Sequence, residues 1–120
     1  MVIKRRKTRQ VKIGSVRIGA GNPVAIQSMT KTRSADVAST IAQARRLEKC
    51  GVDIIRLAVL DEQDAKALKK IKQGVKVPLV AAIHFNWQLA LTAIDSGVDK
   101  IRLNPGNIYK KEQVREVVSA

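Results

Sequence analysis

One heptapeptide occurs twice, and it limits the possible folds more than any other feature of the chain. Gly51-Val-Asp-Ile-Ile-Arg-Leu57 returns as Gly97-Val-Asp-Lys-Ile-Arg-Leu103, 46 residues later. Each copy follows a stretch with helical spacing of apolar residues and opens a short apolar run. Such runs, bounded by glycine and joined by helical segments, read as strands buried on both faces. The spacing between the copies holds two strand–helix units, so the repeat is one of βα pairs.

The rest of the chain fits this pattern. Strands are predicted at Val24–Met29, Asp53–Val59, Pro78–Ile83 and Asp99–Leu103. Helices are predicted at Ala35–Lys49, Asp61–Gln73, Asn86–Ser96 and from Lys111 to Val118. Ser34 is the expected cap of the first helix, whose apolar side carries Val37, Ile41, Ala44 and Leu47. The second helix presents Ala65, Leu68 and Ile71, and glycines at 51, 74 and 97 stop the helices. Ahead of these units, Val11–Ile18 alternates around Gly14-Ser15, the signature of a two-residue hairpin with glycine where φ is positive.

Successive βα units imply a parallel sheet. No Gly-x-Gly-x-x-Gly follows the first strand, which argues against a dinucleotide-binding fold. The fold class is therefore α/β: the N-terminal half of a (β/α)8 TIM-type barrel with parallel strands, preceded by a short β-hairpin. Residues 1–22 form a basic leader and hairpin, and 23–120 the first four βα units. Four strands leave two open edges. The chain is accordingly expected to be a fragment, or part of an assembly that completes the sheet.

In such a barrel the chemistry lies at the carboxyl ends of the strands. The first strand leads into Gln27, Ser28, Met29, Thr30, Lys31, Thr32 and Arg33, the third into His84, Phe85 and Asn86. The fourth leads into Asn104, Pro105, Gly106 and Asn107. Arg56 and Arg102 stand out because each lies three residues after the aspartate of its repeat. Alternate strands share side-chain layers inside a barrel, so the two guanidinium groups converge. Burying both needs an anion, and planar forks grip a diphosphate bidentately. The competing reading pairs each arginine with a structural carboxylate. Asn104-Pro-Gly-Asn107 is a turn whose N–H groups suit a phosphate, and Gln27-Ser-Met-Thr30 offers amide and hydroxyl donors. His84, the only histidine, is a candidate ligand contact or proton donor.

Composition narrows the partners. Lys and Arg total 23 against 10 Asp and Glu, a net charge of +13, which suits an anionic partner or a solvated basic surface. With aromatics at 2%, a stacking platform for nucleic acid is not expected. The single cysteine, Cys50, reads as a packed small residue at a helix end rather than a nucleophile, and with one histidine it cannot make a metal site. No membrane-length apolar run and no secretory leader is visible, so a cytoplasmic setting is expected.

At the strand ends the chain resembles a known family. Val24-Ala-Ile-Gln-Ser-Met-Thr-Lys-Thr-Arg33, Gly51-Val-Asp-Ile-Ile-Arg56, Val77-Pro-Leu-Val-Ala-Ala-Ile-His-Phe85 and Ile101-Arg-Leu-Asn-Pro-Gly-Asn-Ile108 are similar, in order, to the N-terminal signatures of the 4-hydroxy-3-methylbut-2-enyl diphosphate synthases. The resemblance implies an oxidoreductase of the non-mevalonate isoprenoid pathway, which reductively opens 2-C-methyl-D-erythritol 2,4-cyclodiphosphate. It implies a [4Fe-4S] cluster in a separate C-terminal domain, flavodoxin or ferredoxin as electron donor, and a homodimer. Carried over, Arg56, Arg102 and Asn104 hold the diphosphate, with Gln27, Thr30, His84 and Asn107 around the same pocket. Two departures stand out: Ala82 where the family usually has Asp, and Asn86-Trp87-Gln88 where Asp, an aromatic residue and Arg are common. The cluster ligands lie outside these residues, so the chain alone is expected to be inactive. Alternatives are a degenerate binding paralogue, a pterin-binding-type barrel, and nucleic-acid binding through Lys4–Arg9.

Overall fold

The computed structural model describes residues 2–120. Two strands, β1 (Val11–Ile13) and β2 (Val16–Ile18), form an antiparallel hairpin. Then follow β3 (Gln27–Met29), α1 (Val37–Lys49), β4 (Ile54–Val59), α2 (Glu62–Gly74), β5 (Leu79–Ile83), α3 (Gln88–Asp95), β6 (Lys100–Leu103) and α4 (Lys111–Ser119). The last four strands make one parallel sheet in the order β3-β4-β5-β6, so each βα unit adds the next strand on the same side. Both outer strands, β3 and β6, keep an open edge among the described residues.

Strand alternation separates the two faces. Ile55, Leu57 and Val59 of β4 and Leu79, Ala81 and Ile83 of β5 are buried against the helices, packing with Ala44 of α1, Leu68 and Ile71 of α2 and Ala90 of α3. The other face carries a smaller cluster in which Ile54 and Val80 meet Ile13 of the hairpin. The hairpin thus plugs the amino-terminal end of the sheet. Arg56, Ala58 and Ala82 share this inner face by parity with Ile54 and Val80.

The repeated heptapeptide has a clear structural logic at its start. Gly51 and Gly97 both adopt φ +90, where an L side chain is strained, and end the helices before them. Each following aspartate ties its strand to the preceding one. Asp53 Oδ2 accepts the N–H of Ile26 at 2.8 Å, and Asp99 Oδ2 accepts that of Leu79 at 2.9 Å. Asp99 also pairs with Lys72.

Several boundaries differ from the sequence reading, each for a local reason. The first strand is shorter, because only Gln27–Met29 completes the ladder. α1 is capped by Asp36, whose carboxylate accepts the Ser39 N–H at 3.2 Å. Ser34 instead donates its hydroxyl to the Ala58 carbonyl at 2.6 Å, joining the β3–α1 loop to β4. Gly74 is not a left-handed stop. It is the last residue of α2, and a Cβ there would lie 2.7 Å from Ile41 Cδ1, so its smallness lets α1 and α2 approach. Cys50 is exposed, not packed. Trp87 packs on the core, whereas Phe85 is 75% exposed.

Gly14 holds the plug in place. Its φ is +55, and a Cβ would stand 2.9 Å from both Asp99 Oδ1 and Pro78 Cγ. Gly14→Ala is expected to destabilise by roughly 1–3 kcal/mol, from left-handed strain together with the contact. Urea unfolding of the variant against the parent checks this.

Candidate anion-binding site

The sheet register decides whether the two arginines meet. Arg56 pairs with Val80, which pairs with Lys100, whereas Arg102 pairs with Ala82. Arg102 therefore stands two residues further along than the position level with Arg56. Across two strands that is one residue per strand, the stagger of an eight-stranded barrel of shear eight. In a closed barrel of that shear, Arg56 and Arg102 would share a level along the barrel axis, although not along the hydrogen bonds. The same stagger sets Gln27 and Val80 just below them, and Met29 and Ala82 just above. Ala58 and Asn104 come next, with His84 nearer the rim.

Neither arginine has a carboxylate partner among the described residues. Both are half-buried, and the Nε of Arg56 is buried with no hydrogen-bond partner. The aspartates and glycines of the repeat have structural tasks and its arginines have none. A buried, unmatched guanidinium donor is costly unless something supplies an acceptor, and an oxyanion does so.

The loops above this level are tightly built. Asp64, 1% exposed, accepts the N–H groups of Ala35 at 2.8 Å and Leu60 at 3.1 Å. It also lies 3.7 Å from Arg33 Nε, and Arg33 pairs in addition with Asp61, the N-cap of α2. One carboxylate thus fastens the β3–α1 loop to the β4–α2 loop. Gln43 accepts the Lys31 N–H at 2.7 Å and Thr40 shares a hydrogen bond with Thr32. The rim is held by these contacts before any ligand arrives, which lowers the ordering cost of binding. Asp64 was not among the residues singled out from sequence; its only signal was a position in the first turn of a helix.

The other expected site residues fall in three groups. Asn104 is half-buried beside the arginine level, but its Oδ1 accepts the Gly106 N–H at 3.2 Å and so shapes the turn, leaving the amide Nδ2 to face outward chemistry. Asn107 is exposed on that turn, its N–H donated to Asn104 O at 3.1 Å. His84 is half-buried, its ring centroid 6.3 Å from that of Phe85. Thr30 is 4% exposed, donates its N–H to Arg56 O at 3.1 Å, and keeps a buried hydroxyl without a partner. Gln27 departs from expectation: it begins β3 rather than ending it, and lines a cavity at the amino-terminal end. The late start of the strand moved it below the arginines.

Comparison with known proteins agrees with this architecture. The GcpE TIM-barrel domain matches residues 8–120. The chain belongs to that family. It is 54% identical over 119 residues to the 4-hydroxy-3-methylbut-2-en-1-yl diphosphate synthase (flavodoxin) of Geobacillus thermodenitrificans, covering 99% of this chain and 32% of that protein. The synthase of the same name from Caldanaerobacter subterraneus is 50% identical over 120 residues, 100% of this chain and 34% of the relative. This GcpE chain therefore spans about a third of the curated relatives it matches. Among solved structures, a dihydropteroate synthase of Xanthomonas albilineans aligns with TM-score 0.62 at 12% identity, over 90% of this chain and 46% of the other. Thiamine phosphate pyrophosphorylase from Pyrococcus furiosus aligns at 0.53 with 23% identity, over 79% and 59%. Both likenesses concern the fold alone. Among the described residues no helix is long and apolar enough to cross a membrane.

Proposed function

We propose that this chain is the substrate-binding portion of a 4-hydroxy-3-methylbut-2-enyl diphosphate synthase, an oxidoreductase that takes 2-C-methyl-D-erythritol 2,4-cyclodiphosphate reductively to the open diphosphate. What carries the reading is the arginine pair: two guanidinium groups at equivalent places of the repeat on the inner face, free of carboxylates among the described residues, one with a buried unmatched donor. In this role Arg56 and Arg102 hold the diphosphate oxygens and keep the ring in one orientation. Asn104 adds an amide donor, and Asn107 lies on the turn that borders the same space. His84, nearer the rim, is placed to hold or deliver a proton. Thr30, one residue past β3, supports Arg56 by donating its N–H to the Arg56 carbonyl, and its buried hydroxyl has no hydrogen-bond partner.

The family resemblance also brings a [4Fe-4S] cluster, which supplies electrons when bound. The residues here do not fit one. Cys50 is the single cysteine of the chain and sits at the C-cap of α1, at the end of the sheet away from the arginines. No three His, Cys, Asp or Glu side chains come together among the described residues. The cluster, the flavodoxin named for the relatives, the homodimer and a cytoplasmic setting thus belong to the proposal for the whole protein. On this reading the chain by itself turns nothing over.

Calorimetry with the cyclic diphosphate on the full-length protein tests the proposal. Saturable binding that weakens as salt rises supports it. No binding to the parent protein would refute it. One observation favours a second reading, of binding without turnover. Ala82 is fully buried, paired in register with Arg102, and supplies no carboxylate to the site. Ala82→Asp sets a negative charge beside Arg102 and is expected to weaken cyclic diphosphate binding by about tenfold. Turnover that appears only in this variant would favour the second reading over the first.

A further inference from the structure

The two heptapeptides differ at a single position, Ile54 against Lys100. Ile54 is buried against the hairpin plug, whereas Lys100 is exposed. Both line a cavity of about 920 Å3 at the amino-terminal end of the sheet, opposite the strand ends. Its size lies in the range of small-molecule sites. The leader closes one side. It is tied down where Ala20 donates its N–H to Thr8 Oγ1 at 3.0 Å and Asn22 Nδ2 donates to Gln10 Oε1 at 3.1 Å. This sets Arg5, Arg6 and Lys7 along the cavity, with Lys100 also on its lining. None of the four has a carboxylate partner among the described residues, and no Asp or Glu lines the space. The accessible apolar lining is Ile18, Val24 and Ala25, laid over the buried Ile13 and Ile54.

We propose that this cavity is a second ligand site, for an organic phosphate or diphosphate carrying a hydrocarbon tail. Cations around an apolar floor recognise that combination and no simpler one. Inorganic pyrophosphate leaves the floor wet, and a neutral alcohol leaves four charges unmatched. The tail lies on Ile18 and Val24, and the head is held by Lys100 and the leader arginines. The site is independent of Arg56 and Arg102, which stand higher on the inner face.

Titration of the full-length protein with geranyl diphosphate, inorganic pyrophosphate and geraniol tests this. Geranyl diphosphate is expected to bind at least tenfold tighter than either of the others at this site. Lys100→Ile copies the residue of the first repeat, so the fold tolerates it. It should weaken geranyl diphosphate by about tenfold and leave cyclic diphosphate binding unchanged. Arg56→Met should do the reverse. Thermal unfolding of both variants confirms that they are folded. A free tailed phosphate is distinguished from a lipid headgroup by sedimentation with phosphatidic acid vesicles, which should not retain the protein in a Lys100-dependent way. Equal affinity for geranyl diphosphate and pyrophosphate, Lys100-dependent retention on the vesicles, or loss of geranyl diphosphate binding with Arg56→Met but not Lys100→Ile, would overturn the proposal.

Discussion

The double variant Arg56→Met, Arg102→Met is expected to lose cyclic diphosphate binding by three orders of magnitude or more while folding as well as the parent. Each charge-assisted contact to a desolvated oxyanion is worth about 2–3 kcal/mol, so two together exceed roughly a thousandfold. The stability half of the expectation separates the competing accounts. In the unliganded protein these guanidinium groups have no carboxylate partners among the described residues, and the Nε of Arg56 is buried without an acceptor. Replacing such a charge by a side chain of similar volume is often neutral or stabilising. The apo double variant should therefore melt at the parent temperature or slightly above it. If each arginine instead held a structural carboxylate elsewhere in the full protein, the variant would lose several kcal/mol of stability. Calorimetry and thermal unfolding on the same samples read both halves.

The second large effect falls on Asp64. Asp64→Ala removes the acceptor for two backbone N–H groups, those of Ala35 and Leu60, and leaves Arg33 with only Asp61. Asp64 is 1% exposed and both bonds are partly buried, so the orphaned donors bear part of their desolvation cost. The expected loss is about 3–5 kcal/mol in urea unfolding. Asp64→Asn keeps one acceptor oxygen and should lose about half as much. Cyclic diphosphate binding should weaken too, because the β3–α1 and β4–α2 loops that frame the arginines are no longer tied together. An Asp64→Ala protein of parental stability would show that the loops are held by other contacts.

The order of elements was legible because the heptapeptide repeat carries its own boundaries. Glycine at φ +90 and aspartate bonded to the previous strand are local requirements, visible in seven residues. The hairpin was legible for the same reason, through Gly14. What escaped the sequence depends on partners distant in the chain. Ser34 looks like a helix cap, yet a carbonyl 24 residues away claims its hydroxyl and Asp36 takes the cap. Gly74 looks like a helix stop, but its lack of a side chain answers to Ile41 on another helix. Phe85 is the chain's one phenylalanine, yet it is exposed at a strand end.

The candidate site divided along the same line. Arg56 and Arg102 followed from their equal places in the repeat; along the hydrogen bonds Arg102 lies two residues beyond the position level with Arg56, the offset that a stagger of one residue per strand takes up. Gln27 was placed one level too high, because the extent of β3 depends on pairing with β4 and not on its own residues. Lys100 was not singled out from the sequence. Its signal was present as the one mismatch between the repeats, but its meaning needed the cavity it lines.

The central claim is that Arg56 and Arg102 jointly hold a diphosphate inside a barrel of which this chain forms half. A crystal structure of the full-length protein with bound 2-C-methyl-D-erythritol 2,4-cyclodiphosphate tests it most directly. The account predicts diphosphate oxygens within hydrogen-bonding distance, about 3 Å, of both guanidinium groups, including the Nε of Arg56. A ligand seated elsewhere, with both arginines paired to carboxylates from the remaining strands, would contradict it.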